Sequence, residues 1–169
     1  GKAFLGPRGN YTTGFRDLDQ VQPTTNFWWQ PLYGAHIGFA TPFTAGASNG
    51  AYTGEVWLRK VGTPGTLTAS LRADSTSLPG ALLDADAKDT LAASAVTDTL
   101  SFLHSFTWDA VQTLTATTDY WMALVAASTD DATNHWEVGY GSVDGAKSVD
   151  GTTWTADTVS PFIRVLDGT

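Results

Sequence analysis

Two runs with a strict period of two flank Gly62-Thr63-Pro64-Gly65, and they constrain this chain more than any other stretch. In the first, Val56 and Leu58 alternate with Glu55, Trp57 and Arg59. In the second, Leu67, Ala69 and Leu71 alternate with Thr66, Thr68, Ser70 and Arg72. A period of two places the aliphatic set on one face of an extended chain, whereas a helix would scatter it around its circumference. Two such runs on either side of a Gly/Pro turn predict a β-hairpin.

The same alternation recurs along the chain. Phe102, His104, Phe106 and Trp108 alternate with Leu103, Ser105 and Thr107, predicting a strand with one aromatic, buried face. Trp136, Val138 and Tyr140 alternate with His135, Glu137 and Gly139. Thr118 to Ala127 differs: Tyr120, Met122 and Leu124 fall on one face and Trp121, Ala123 and Val125 on the other, so this strand is expected at the centre of a sheet with both faces covered. Ala35 to Phe43 reads as a strand interrupted by Pro42, which suits an edge or a strand end. Asp84 to Asp89 reads as a solvated segment with room for one helical turn. The Asp144-Gly145 and Asp150-Gly151 pairs read as successive tight turns around a very short strand. Phe162 to Leu166 closes the series.

About eight strands at spacings of about ten residues, with no amphipathic helix, specify a sandwich or barrel, and an antiparallel jelly-roll-like β-sandwich fits best. Leu83 to Leu100 is then a connection crossing between sheets. Composition agrees: 26 Thr and 17 Gly against four Lys and two Glu favour strands and turns over helices. At 169 residues the expectation is one domain, residues 35–169, preceded by an extended N-terminal arm, residues 1–34. The arm carries Phe4, Leu5, Tyr11, Phe15 and Phe27-Trp28-Trp29 without period. Such aromatics must lie on the sandwich or on a neighbouring chain.

A net charge of -8 leaves no basic stripe to displace phosphate counterions, so nucleic acid is not an expected partner. No segment has the length of an apolar span, so no membrane insertion is expected. Gly1 to Arg16 lacks the charged start and apolar run of a signal peptide, and the chain reads as a mature or excised segment. Zero Cys excludes disulfides and thiol chemistry without settling the compartment. Asn10-Tyr11-Thr12 is a glycosylation acceptor pattern that matters only in a secretory host.

Phe39 to Phe43, Val56 to Pro64, Leu67 to Asp74, Leu78-Pro79-Gly80, Leu114 to Trp121 and Asp150 to Trp154 before Phe162 to Val165 together resemble a family of jelly-roll modules. These recur in phage tail and head accessory proteins and in bacterial secreted or surface proteins. The resemblance spans about Ala35 to Leu166. It implies a β-sandwich without enzymatic activity, serving as a structural, adhesive or carbohydrate-binding unit of a virion or surface assembly. Self-association and contacts with other assembly proteins follow as expected partnerships, and localisation in a virion or at the extracellular surface as the expected place.

Two aromatic groups are candidates for a glycan platform. Trp28 and Trp29 beside Tyr33 form one; Trp136, Tyr140 and Trp154 form the other. Core packing or an intersubunit contact is the competing account of both. Asp130, Asp131 and Asn134, the pair Asp144 and Asp150, and the group Asp84, Asp86 and Asp89 match no complete calcium loop, and turn chemistry accounts for them; no metal and no cofactor are expected. His36, His104 and His135 lack zinc spacing, no Ser sits in a nucleophile elbow, and with two Glu in the chain no carboxylate pair stands in an aromatic setting. These absences point away from an enzyme.

Overall fold

The strands form where alternation or a continuous apolar run demands them. The computed structural model describes residues 28–45, 50–97, 100–141 and 144–167. In order these are β1 (Trp28–Leu32), β2 (Gly38–Thr44), β3 (Gly50–Val61), β4 (Leu67–Asp74), β5 (Pro79–Leu82), β6 (Lys88–Leu91), β7 (Phe102–Thr113), β8 (Asp119–Val125), β9 (His135–Gly141), β10 (Gly145–Ser148), β11 (Trp154–Asp157), β12 (Ser160–Pro161) and β13 (Ile163–Asp167). All pairings among them are antiparallel. The first sheet holds β1, β9, β3 and β13, with β7 on β3 and β12 on β9; the second runs β11-β10-β2-β8-β4-β5, with β6 on β4. The protein is therefore an all-β sandwich, as its patterning predicts.

The expected hairpin around Gly62 is corrected. β3 lies in the first sheet and β4 in the second, so Gly62 to Thr66 is an arch between layers. Alternation fixes which face of a strand is buried and says nothing about its partner. Val56 and Leu58 from one layer and Leu67, Ala69 and Leu71 from the other are all fully buried in one core. Across that core Phe39, Phe106, Trp108, Leu114, Met122, Leu124 and Trp136 fill the space between the sheets. The arch is anchored by the segment before β9: Asp130 Oδ1 accepts from Gly65 N at 2.7 Å, Asn134 Oδ1 accepts from Thr63 N at 2.9 Å, and Trp136 Nε1 donates to Gly65 O at 2.8 Å.

β8 sits between β2 and β4, as its doubly apolar pattern requires. Tyr120, Met122 and Leu124 enter the main core, while Trp121 and Ala123 join Ala40, Ala146 and Trp154 in a second cluster on the outer face of that sheet. Pro42 is tolerated in β2 because the ladder to β10 stops at Ala40, where no further N–H is needed on that side. The helical turn expected near Asp84 falls later, at Ala93–Ala95, after Lys88–Leu91 has paired with β4. The chain crosses between sheets from there to β7. The second Asp-Gly pair closes the β10–β11 hairpin, where Gly151 takes φ +77 and Asp150 Oδ1 accepts from Thr152 N at 2.8 Å and Thr153 N at 2.6 Å. The first pair's approach, residues 142 and 143, lies outside the described residues.

Of the expected arm, Trp28–Leu32 is strand β1, paired along its length with β9. Residues 1–27 lie outside the described residues, and with them Asn10.

One turn departs from its preferred chemistry. Ser75 and Leu78 exchange backbone hydrogen bonds of 2.9 and 3.2 Å, and the two residues between them, Thr76 at φ +53 and Ser77 at φ +62, both occupy the left-handed region. A two-residue hairpin turn of this hand prefers Asn-Gly. Ser77→Gly keeps the N–H that donates to Asp74 Oδ2 and removes the side-chain conflict, so it is expected to stabilise the protein by about 0.5–1 kcal/mol. A urea midpoint unchanged or lower than that of the parent would contradict this.

Candidate functional site

The six aromatic candidates separate into core and surface. Trp136 is fully buried and its N–H is committed to Gly65; it presents no face to a ligand. Trp154 is buried against Gly38 and Ser148 on the outer face of the second sheet, with the Arg72 guanidinium 5.8 Å from its ring centroid. Trp28 is the opposite case, 67% exposed at the start of an edge strand. Trp29, Tyr33 and Tyr140 are half-buried.

The register of β1 decides which way these side chains face. Leu32 pairs with Trp136 and both enter the core, so Trp28 and Gln30, two and one steps of two residues away, share the inward face with Tyr140 and Val138. Trp28 is directly opposite Tyr140, whose ring meets Phe39 of the second sheet edge-on at 6.3 Å. Trp29 faces the other way, with the Arg59 guanidinium 4.7 Å from its ring centroid; Arg59 in turn pairs with Glu137. Tyr33 packs on His135 at 4.9 Å. The structure thus brings Trp28 and Tyr140 together across the two expected groups and sets Trp29 on the opposite face.

The edge of β1 is blunted against further strand pairing. Pro31 has no N–H to offer, and Gln30 Nε2 donates to Pro31 O at 3.1 Å.

In the second sheet the β10–β11 hairpin continues the sheet beyond β2. Lys147 pairs with Phe39, an inward residue, so Lys147 is inward too, as are Thr155 and Asp157 on β11. Lys147 Nζ is 3.6 Å from Asp157 Oδ2, an oxygen that is buried and makes no hydrogen bond; Asp157 Oδ1 accepts from Thr158 N at 2.8 Å. His36, in the link from β1 to β2, has a buried Nδ1 without a hydrogen-bond partner. Burial, and after it the charge of Lys147, lowers its pKa from 6.5, while Asp157 acts the other way. Trp28, Gln30 and Tyr140 thus share the inner face of the first sheet, and Lys147 and Asp157 that of the second. Gln30, His36, Lys147 and Asp157 were not among the sequence candidates, because nothing in Gly145-Ala146-Lys147-Ser148 or Trp154 to Asp157 marks an inward charge.

Both Glu of the chain belong to the outer face of the first sheet and are held by Arg. Glu55 is engaged by Arg164 and accepts from Ser105 Oγ at 3.1 Å; Glu137 is engaged by Arg59. Of the Asp residues considered for calcium, Asp84, Asp131 and Asp150 serve turns, Asp89 ties β6 to β7 and Asp130 holds the arch. Asp131 Oδ1 accepts from Thr133 N at 2.8 Å and Asn134 N at 2.9 Å, Asp84 Oδ1 accepts from Asp86 N at 3.1 Å, and Asp89 Oδ2 accepts from Thr107 N at 2.8 Å. The Thr133 hydroxyl, and after it the Thr133 and Asn134 N–H groups, hold Asp131 below the usual carboxylate range, as the Thr153 and Thr152 N–H groups do for Asp150. Among the described residues no three such side chains converge as a metal site.

His104 is wedged between Phe102 and Phe106, at 6.1 and 4.6 Å. Burial lowers its pKa from 6.5, with Asp89 opposing. A histidine with a lowered folded pKa takes its proton more readily when unfolded, so its contribution to stability is intact above pH 6.5 and is lost as pH falls from there through the folded value. His36 acts in the same window. Asp130, raised chiefly by burial despite the Gly65 N–H, has the opposite sign and acts nearer the carboxylate range. The thermal midpoint is therefore expected to fall between pH 7.5 and pH 5, and His104→Phe to flatten that slope. Equal slopes for the two proteins would contradict the assignment to His104.

No protein-family model matches the chain, and no curated protein matches it.

Proposed function

We propose that this chain is a non-catalytic attachment module of a virion or cell-surface assembly. The observation that carries the reading is Trp28, an aromatic side chain 67% exposed on an edge strand whose backbone is blunted by Pro31 and Gln30. Exposed Trp is a poor choice for solvent and a good anchor for a contact made through side chains. The carboxylates support a structural role, since each Glu is tied to an Arg. Other assembly proteins and further copies of the chain are the partners this reading predicts. Light scattering on the full chain across a concentration series tests it: the protein self-associates, and Trp28→Asp returns it to monomer. A chain that stays monomeric throughout ends the self-association part of the reading.

Carbohydrate binding is the second reading, favoured by the Trp28–Tyr140 pair. It combines an open indole face with a half-buried phenol on the same side of the sheet. Pyranose rings pack their C–H faces on such surfaces. An array of neutral and acidic oligosaccharides probed with the full chain decides it; no signal on any glycan removes this reading.

A further inference from the structure

We infer that the outer face of the first sheet is the seat of the chain's own segment 20–27, which crosses the strands along a row of apolar side chains beginning at Trp29. The inference goes beyond the attachment reading and does not depend on it.

Register builds the row. Trp29 on β1 lies opposite Gly139 on β9, and Phe162 N donates to Gly139 O at 2.9 Å. Ile163 pairs with Val56, so Phe162, one residue earlier, lies beside Trp57, and Trp57 pairs with Leu103 on β7. Val56 and Ile163 are in the core, so these neighbours of theirs point away from it. Trp29, Gly139, Phe162, Trp57 and Leu103 therefore form one line across the outer face, at right angles to the strands. The four large side chains in it are half-buried.

An ion pair stands on either side of the line. Arg59 is engaged by Glu137 on one flank and Arg164 by Glu55 on the other, so neither flank carries a net charge. A charged partner would lose its hydration here with no opposite charge in return, whereas an uncharged segment with apolar side chains meets no such cost.

The chain supplies such a segment where the line begins. Residues 20–27 read Gln-Val-Gln-Pro-Thr-Thr-Asn-Phe, without a charge, and run directly into Trp28, the neighbour of Trp29. From Trp29 to Leu103 the line crosses four strand spacings, about 19 Å. Eight extended residues reach about 26 Å, enough to turn out of β1 and cross it. Val21, Pro23 and Phe27 supply the apolar contacts. Because the segment is tethered at one end of its seat, its effective concentration there is on the order of millimolar, which a second copy in dilute solution does not match. Trp29 then serves the chain itself, and Trp28 is left for outside contacts.

The test uses the full chain with a nitroxide on Thr24→Cys, a unique attachment point because the sequence has no cysteine of its own. The amide signals of Trp29, Trp57, Leu103 and Gly139 are expected to be lost in the oxidised sample and to return on reduction. Those of Ala123 and Ala146, on the outer face of the second sheet, persist. A mixture of isotope-labelled chain without nitroxide and unlabelled chain with it, diluted to monomer, shows no loss. Loss in that mixture makes the occupant a second copy and overturns the assignment, as does loss centred on the second sheet or no loss anywhere. Val21→Asp in the nitroxide-bearing chain sets a charge against a face that offers none in return, and is expected to restore the signals of the line. A pattern unmoved by Val21→Asp means that apolar side chains do not hold the segment, and it overturns the proposal as well. No residue of the sheet is altered in these samples, so the fold of the sandwich is kept throughout.

Discussion

Trp136→Ala is expected to lower the stability of the fold by about 4–6 kcal/mol. The side chain is fully buried in the main core, and its indole N–H donates to Gly65 O at 2.8 Å. Truncating a buried Trp to Ala costs about 3–5 kcal/mol through lost transfer energy and the cavity left behind. Losing the hydrogen bond adds about 1 kcal/mol or more, because Gly65 O loses its indole donor. Together these reach the lower part of the stability range of an ordinary domain, about 5–15 kcal/mol. Trp136→Phe separates the two contributions: it keeps much of the apolar volume, loses the N–H, and is expected to fold with a stability about 1–3 kcal/mol lower. Circular dichroism and urea unfolding read both. An Ala variant that melts within a few degrees of the parent would mean that β9 is not pinned to the arch through this residue.

Trp136 also marks where the sequence stops being informative. It and Trp28 are the same residue type on paired strands, and both were candidates for a glycan platform. Trp136 stands in a clean alternation with Val138 and Tyr140, a core pattern that was legible. Trp28 stands in Phe27-Trp28-Trp29, where no period distinguishes inward from outward; only its pairing with Tyr140 does so. The doubly apolar run of β8 announced a central strand because burial on both faces leaves no polar face in the sequence. The partners of β3 and β4 were illegible, since a hairpin and an arch bury the same alternate residues. What separates them is Gly62 and two side-chain oxygens from Asp130 and Asn134, more than sixty residues away. The inward charges were illegible for the same reason: Lys147 and Asp157 lie on four-residue strands whose inward direction comes from Phe39 on β2.

The arch therefore has its own expected signature, read by comparing two glycines of nearly equal φ. Gly34 has φ +61 and Gly62 has φ +62. A Cβ at Gly34 would meet nothing within 4 Å, whereas one at Gly62 would lie 2.3 Å from Thr133 O and 2.6 Å from Asn134 Oδ1. Gly34→Ala should thus cost only the left-handed conformation, about 1 kcal/mol. Gly62→Ala carries that same cost and also forces the arch off the segment before β9, weakening the hydrogen bond from Thr63 N to Asn134. Overpacking of this kind typically costs about 1–3 kcal/mol, giving about 2–4 kcal/mol in all. Urea midpoints of the two variants measure the difference, which isolates the seating of the arch from its backbone strain. Equal losses at the two positions would show that the arch is held by its own conformation and draws nothing from Asn134 or Thr133. A larger loss at Gly62 means that the link between the two sheets is fixed by tertiary contact, and that the strongest pattern in the sequence owes its topology to residues remote from it.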